Sequence, residues 1–154
     1  MSAAAELCTC TAIRQAERHI ARHYARAFAP FGLTIDQFAT MAKLHRLGPA
    51  TIPGLAECMV MDRAMLHYTL KEPIARGLVA VHRDARDGRC RIVALTEAGT
   101  AFFLQAKASW QAVNAQIDAA LGDGAPALRE LLKAVESLDL RSAAAEDGAL
   151  AAAE

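Results

Sequence analysis

The stretch from Thr51 to Thr96, TIPGLAECMVMDRAMLHYTLKEPIARGLVAVHRDARDGRCRIVALT, decides how the whole chain is read. Thr51 can cap a short helix from Ile52 to about Met59, with Pro53 in the first turn, where a missing N–H costs little. Asp62 can cap a second helix reaching Arg76, and Gly77 stops it. In that helix Leu66, Leu70 and Ile74 recur every four residues and are expected to point into a core. Leu78 to Val81 and Cys90 to Leu95 alternate as strands around the polar turn Asp84 to Gly88. The order is helix, tight turn, helix, hairpin, which is the plan of a winged helix-turn-helix.

Working outward, a helix is expected from near Thr9 or Thr11 to Phe28. Ile13, Ala16, Ile20, Tyr24, Ala27 and Phe28 lie on one face, and Arg14, Arg18, Arg22 and Arg26 lie on the other. Pro30 and Gly32 end it. Thr34 and Gln37 form a capping box for the next helix, with Phe38, Met41, Leu44 and Leu47 as its apolar face and Gly48 as its stop. Beyond the hairpin, Thr96-Glu97 opens a long helix to Leu121. Its stripe is Phe102, Phe103, Ala106, Trp110, Val113 and Ile117. Gly122-Asp123-Gly124 breaks it. A last helix from about Pro126 to Leu138 carries Leu128, Leu131, Leu132, Val135 and Leu138. The Ala-, Glu- and Gly-rich tail 142–154 has little to bury. The fold class is mainly α with a small β-hairpin. A single domain over 1–141 is expected, with 34–96 the winged helix and the helices 9–28, 97–121 and 126–138 the dimerisation part.

The 154 residues have no net charge, which argues against a nucleic-acid binder, but the charge is unevenly distributed. Residues 1–100 hold 13 Lys/Arg and 9 Asp/Glu, a balance of +4, and residues 101–154 hold 4 and 8, a balance of −4. A basic front half suits a protein that presents one face to a polyanion. The short apolar runs exclude a membrane span and point to the cytoplasm. Four scattered cysteines do not make a disulfide scaffold. No nucleophile–base set, phosphate loop or strong metal motif is visible, so neither an enzyme nor a resident cofactor or metal is expected.

A helix-turn-helix places its second helix in the major groove. On the 62–76 helix, Ala64, Met65, Tyr68, Lys71 and Glu72 fall opposite the leucines, with Arg63 and His67 at the edges. This set is poor for bidentate base reading. It suits contact with thymine methyls, a hydroxyl from Tyr68 and phosphate pairing by Lys71. Arg83, Arg86, Arg89 and Arg91 crowd the hairpin, where they can neutralise phosphates or enter a narrow minor groove. Asp84 and Asp87 are candidates to hold the arginine planes in bidentate pairs.

Leu55-Ala56-Glu57, Met61-Asp62-Arg63, Arg76-Gly77-Leu78-Val79, Arg83-Asp84-Ala85-Arg86-Asp87-Gly88-Arg89 and Leu95-Thr96-Glu97-Ala98-Gly99 together resemble the MarR family of bacterial transcriptional regulators, over about Cys8 to Leu138. The resemblance implies a homodimer on a pseudo-palindromic duplex, with Arg89 as the minor-groove arginine, oriented by Asp87. It also implies a small-molecule effector, often an aromatic carboxylate, and His19, His23, Tyr24, Phe38 and Phe103 are the lining residues it suggests. The family usually has small hydroxyl residues where this chain has Ala64 and Met65, and a leucine where it has Pro73. A proline there removes a backbone bond and should bend the last turn. The expected function is a DNA-binding regulator, a repressor released by a small aromatic or phenolic ligand. Two alternatives stand beside it. One is a winged-helix protein-interaction module with little base readout. The other is a thiol-based redox sensor using Cys8 and Cys10, near a helix start as in the peroxide-sensing branch; the competing reading makes these cysteines small, inert and buried. His19 and His23, four apart, are a weak metal edge.

Overall fold

The computed structural model describes residues 8–84 and 87–138. Arg86 and the tail 142–154 lie outside them. The chain divides into two compact units, Met1–Val113 and Asn114–Glu154, with the boundary inside one long helix.

The first unit begins with α1 (Thr9–Phe28), capped by the Cys8 side chain, and a 3-10 turn, Ala29–Phe31, that ends at left-handed Gly32. In α2 (Ile35–Leu47) both arms of the expected capping box form: the Gln37 backbone N–H donates to Thr34 Oγ1 at 3.2 Å, and the Thr34 N–H donates to Gln37 Oε1 at 2.9 Å. Then come β1 (Ala50–Thr51), α3 (Ile52–Cys58, capped by Thr51), α4 (Arg63–Ala75, capped by Asp62), β2 (Val79–Arg83) and β3 (Arg91–Leu95). The strands form an antiparallel sheet in the order β1-β3-β2. The two-residue β1 has no counterpart in the sequence reading, being too short to carry an alternating pattern.

Leu44, Ile52, Leu55, Ala56, Leu66, Leu70, Val79 and Val93 form one core of helices against sheet. It is Pro73, not Ile74, that completes the buried stripe of α4; Ile74 is 40% exposed. Steps of four advance about 40° around a helix, so the series 66, 70, 74 drifts off the core face, whereas 66, 69, 70, 73 stays on it. On α2 the series 38, 41, 44, 47 runs in steps of three, each turning back about 60°, so Leu47 leaves the core face and is exposed. In α1, Tyr24 and Phe28 are buried, Ile13 and Ile20 are half-buried and Ala16 is exposed.

Two helix ends share one closing geometry. After α4, Leu78 N–H donates to Pro73 O and Gly77 N–H to Ile74 O, both at 2.9 Å, and Gly77 takes φ +69°. After α3, Met61 N–H donates to Ala56 O and Val60 N–H to Glu57 O, but a valine occupies the left-handed position, at φ +53°. A β-branched residue there is a strained choice.

The long helix α5 (Glu97–Leu121) starts on the Leu-Thr-x-x-Gly segment. Thr96 Oγ1 donates to Gly77 O at 2.8 Å and accepts from the Gly99 N–H at 2.9 Å. A Cβ on Gly99 would run into the Leu78 carbonyl, so glycine is what lets α5 seat against the end of α4. Arg76 reinforces that junction: its guanidinium donates to Phe31 O at 3.1 Å and stacks 4.6 Å from the centre of the Phe102 ring.

The second unit comprises the end of α5 and α6 (Gly124–Glu136), which starts two residues before the expected Pro126. Gly124 belongs to the helix, and the break is left to Gly122, at φ +54°. Arg129 pairs with Asp118, and Lys133 pairs with Glu130 at 2.7 Å, all on exposed side chains that add little stability. Leu128, Leu131, Leu132, Val135 and Leu138 are all exposed.

Candidate nucleic-acid interface and an aromatic cleft

The two core leucines and the proline of α4 fix which side of the helix faces outward. Arg63, Ala64, Met65, His67, Tyr68, Lys71 and Glu72 are all exposed, as the rotation of the sequence implies. Tyr68 is 81% exposed and Met65 46%. The Asp62 carboxylate accepts from the Met65 N–H at 2.7 Å, which ties down the first turn of the helix.

The hairpin supplies the charge. In the β2–β3 ladder Arg83 lies directly opposite Arg91, and both are exposed. Like charges at opposed positions repel, so the hairpin holds a positive pair that an anion would relieve. Beyond them the turn closes by Asp84 N–H donating to Cys90 O and Cys90 N–H donating to Asp87 O, each at 2.9 Å. The Asp87 carboxylate is held within the turn itself. Its Oδ1 accepts from the Arg89 backbone N–H at 3.0 Å and its Oδ2 from the Cys90 thiol at 3.5 Å. Asp87 therefore shapes the turn that presents Arg89, and the Arg89 side chain stays exposed. The bond to Asp87 and the nearby negative charge push the Cys90 thiol up from its ordinary value.

The five lining residues implied by the resemblance separate. His19 and His23 lie on the exposed face of α1, their rings edge to face with centroids 5.3 Å apart. Tyr24 is buried and stacks toward Phe28. Phe38 and Phe103, with ring centroids 5.3 Å apart, do line a cleft, of about 410 Å³, which they share with Ala42, His45, Arg46, Lys107 and Trp110. The His45 ring lies 4.8 Å from that of Phe103, and the Trp110 ring 6.2 Å from that of Phe38. His45, Arg46, Lys107 and Trp110 were missed as site residues. A signal existed: Phe38, Ala42 and His45 on α2 and Phe103, Lys107 and Trp110 on α5 follow the same four-then-three spacing, which puts each trio on one helix face.

Cys8 and Cys10 are exposed, contrary to the reading that buried them. Cys8 occupies the cap position of α1, where its Sγ accepts from the Thr11 N–H at 3.4 Å and lies 3.0 Å from the Thr11 hydroxyl. These bonds, the hydroxyl's first, hold its thiol below the ordinary value. Among the described residues no group of three His, Cys, Asp or Glu side chains is placed to hold a metal ion, and no helix is long and apolar enough to cross a membrane.

A helix-turn-helix with a bare outer face, followed by an arginine-bearing hairpin, defines a winged-helix DNA-binding protein. The MarR family profile matches residues 31–89. A Mycobacterium tuberculosis transcriptional regulator, MosR, solved in complex with DNA, is 33% identical, with 84% of this chain and 93% of that one covered and a TM-score of 0.76. A probable transcriptional regulator from Pseudomonas aeruginosa is 30% identical over 83% of this chain and 96% of its own, also with a TM-score of 0.76. Bordetella bronchiseptica BpsR, 21% identical over 86% and 95% with a TM-score of 0.79, shares the fold. No curated protein matches the chain. The chain belongs to the MarR family of DNA-binding transcriptional regulators, which are not enzymes.

Proposed function

We propose that two copies of this chain form a homodimer that grips a pseudo-palindromic duplex and represses transcription until a small aromatic or phenolic ligand releases it. The DNA reading is carried by the wing: Arg83 and Arg91 opposed across the ladder, and Arg89 presented by an Asp87-shaped turn, beside a recognition helix whose outer face is bare. Such cations neutralise phosphates, so affinity for the DNA upstream of the chain's own coding region falls steeply with salt. Arg89→Ala weakens binding about tenfold on all sequences and lowers the salt slope by about 1. If this variant shifts the duplex as tightly as the parent at every salt concentration, the wing assignment is wrong.

The ligand reading rests on the cleft. Phe38, Phe103 and Trp110 offer aromatic walls and Arg46 and Lys107 offer cations, which together suit an aromatic ring bearing a carboxylate. The check is thermal stability with benzoate and 4-hydroxybenzoate. A rise in melting temperature that Lys107→Ala abolishes supports it, and identical shifts in parent and variant remove it.

A second reading is a redox sensor, favoured by the exposed, hydroxyl-bonded Cys8. A Cys8 thiolate attacking the O–O bond of a peroxide would become sulfenic acid and release hydroxide or an alkoxide. With its thiol held low, Cys8 is thiolate at a lower pH than Cys90, whose thiol is pushed up. Alkylation followed by mass spectrometry therefore switches on for Cys8 first as pH rises. If peroxide releases DNA equally from the parent and a Cys8→Ala/Cys10→Ala variant, the redox reading fails.

A further inference from the structure

We infer that this regulator selects its DNA site through the C5-methyl groups of thymine, contacted by Ala64, Met65 and Tyr68. The inference rests on the DNA-binding reading above and names what that interface reads. Relative to Leu66, which faces the core, Ala64 and Tyr68 lie within about 20° of the direct outward direction of α4, and Met65 lies on its flank. All three are exposed in the first half of the helix, the half that meets base edges in a helix-turn-helix. None carries the paired donors and acceptors that read guanine or adenine, as Arg, Asn and Gln do. Glu72, the carboxylate on this face, falls in the second half of the helix, a turn beyond Tyr68.

In the major groove the thymine methyl is the one apolar group that a base pair presents. Met65 and Tyr68 keep large apolar surface in water in the free protein, and a methyl seated against them removes that surface from solvent. The rim matches the same partner. Arg63 and His67 are exposed at the edges of this face and Lys71 in the second half of the helix, as Arg83 and Arg89 are on the wing. Cations around the edge hold phosphates without regard to sequence, which leaves sequence choice to the centre. The Tyr68 hydroxyl adds a donor that thymine O4 can accept.

The test begins with full-length protein selecting duplexes from a random pool. Each thymine in the selected site is then replaced by deoxyuridine, which keeps base pairing and deletes only the methyl. Affinity is expected to fall about threefold to fivefold at each of two or more positions per half-site, the worth of one buried methyl. Met65→Ala should bind the thymine duplex no better than the parent binds the uracil duplex at one of those positions, with no further loss when the two changes are combined. Uracil throughout the selected site changing affinity less than twofold would overturn the inference and leave the regulator reading intact. A pool that enriches no sequence at all would overturn both.

Discussion

The winged-helix unit and the unit that follows it solve the burial problem in opposite ways. In the first, Leu55, Leu66, Leu70 and Val93 are almost wholly removed from water, and the caps of α2, α3 and α4 beside them are hydrogen-bonded. In the second, α6 carries an apolar stripe of equal regularity, Leu128, Leu131, Leu132 and Val135, and leaves it open, with Leu131 66% exposed. The same three-and-four spacing thus yields a closed core in one place and a waiting surface in the other. Periodicity says that a helix has an apolar face. Whether that face is covered depends on what else packs against it. In the proposed homodimer it is covered by a second copy, which a two-fold axis would make self-complementary.

The contrast can be broken by substitution. Leu66→Ala, in the closed core, is expected to lower unfolding free energy by about 4 kcal/mol, measured by denaturant titration at fixed protein concentration. Gly99→Ala, which sets a methyl against the Leu78 carbonyl, should cost about 3 kcal/mol by the same measurement, because neither backbone can yield. Leu131→Ala should behave differently: helix content by circular dichroism stays unchanged, while the dimer dissociation constant from sedimentation rises about tenfold. If Leu131→Ala instead unfolds the chain without changing its association, the open stripe is not an interface and the contrast fails. Val60→Gly has the smallest expected effect and the opposite sign. Val60 is 82% exposed at φ +53°, so glycine loses little packing and relieves the left-handed strain. A gain of about 1 kcal/mol is expected in the same titration.

Much of the winged helix was legible in the residues. Thr34, Thr51 and Asp62 cap as read, Gly48 and Gly77 stop their helices, and Thr96 with Gly99 starts α5, because each of these devices works within three or four residues of itself. The exposed face of α4 was equally readable, since a single rotation sets it. The cleft was half readable. Phe38 and Phe103 belong to it, but His19, His23 and Tyr24 do not, because facing along one helix carries no information about which second helix it meets. Asp87 was placed at the right turn, and its bonds to the Arg89 N–H and the Cys90 thiol come from the way that turn closes on itself.

The sequence by itself determined the order of the helices and the hairpin, the caps of α2, α3 and α4, the basic wing and the apolar character of the recognition helix, all through short-range hydrogen bonds and rotation about an axis. The tertiary structure alone decided three things. It gave β1, two residues that become a strand by pairing Ala50 with Val93 and Thr51 with Ile92. It set Arg76 between Phe31 and Phe102, and joined His45 to Phe103 across the cleft. These join residues at least twenty-six positions apart, and in every case the packing of one element on another selects the partner.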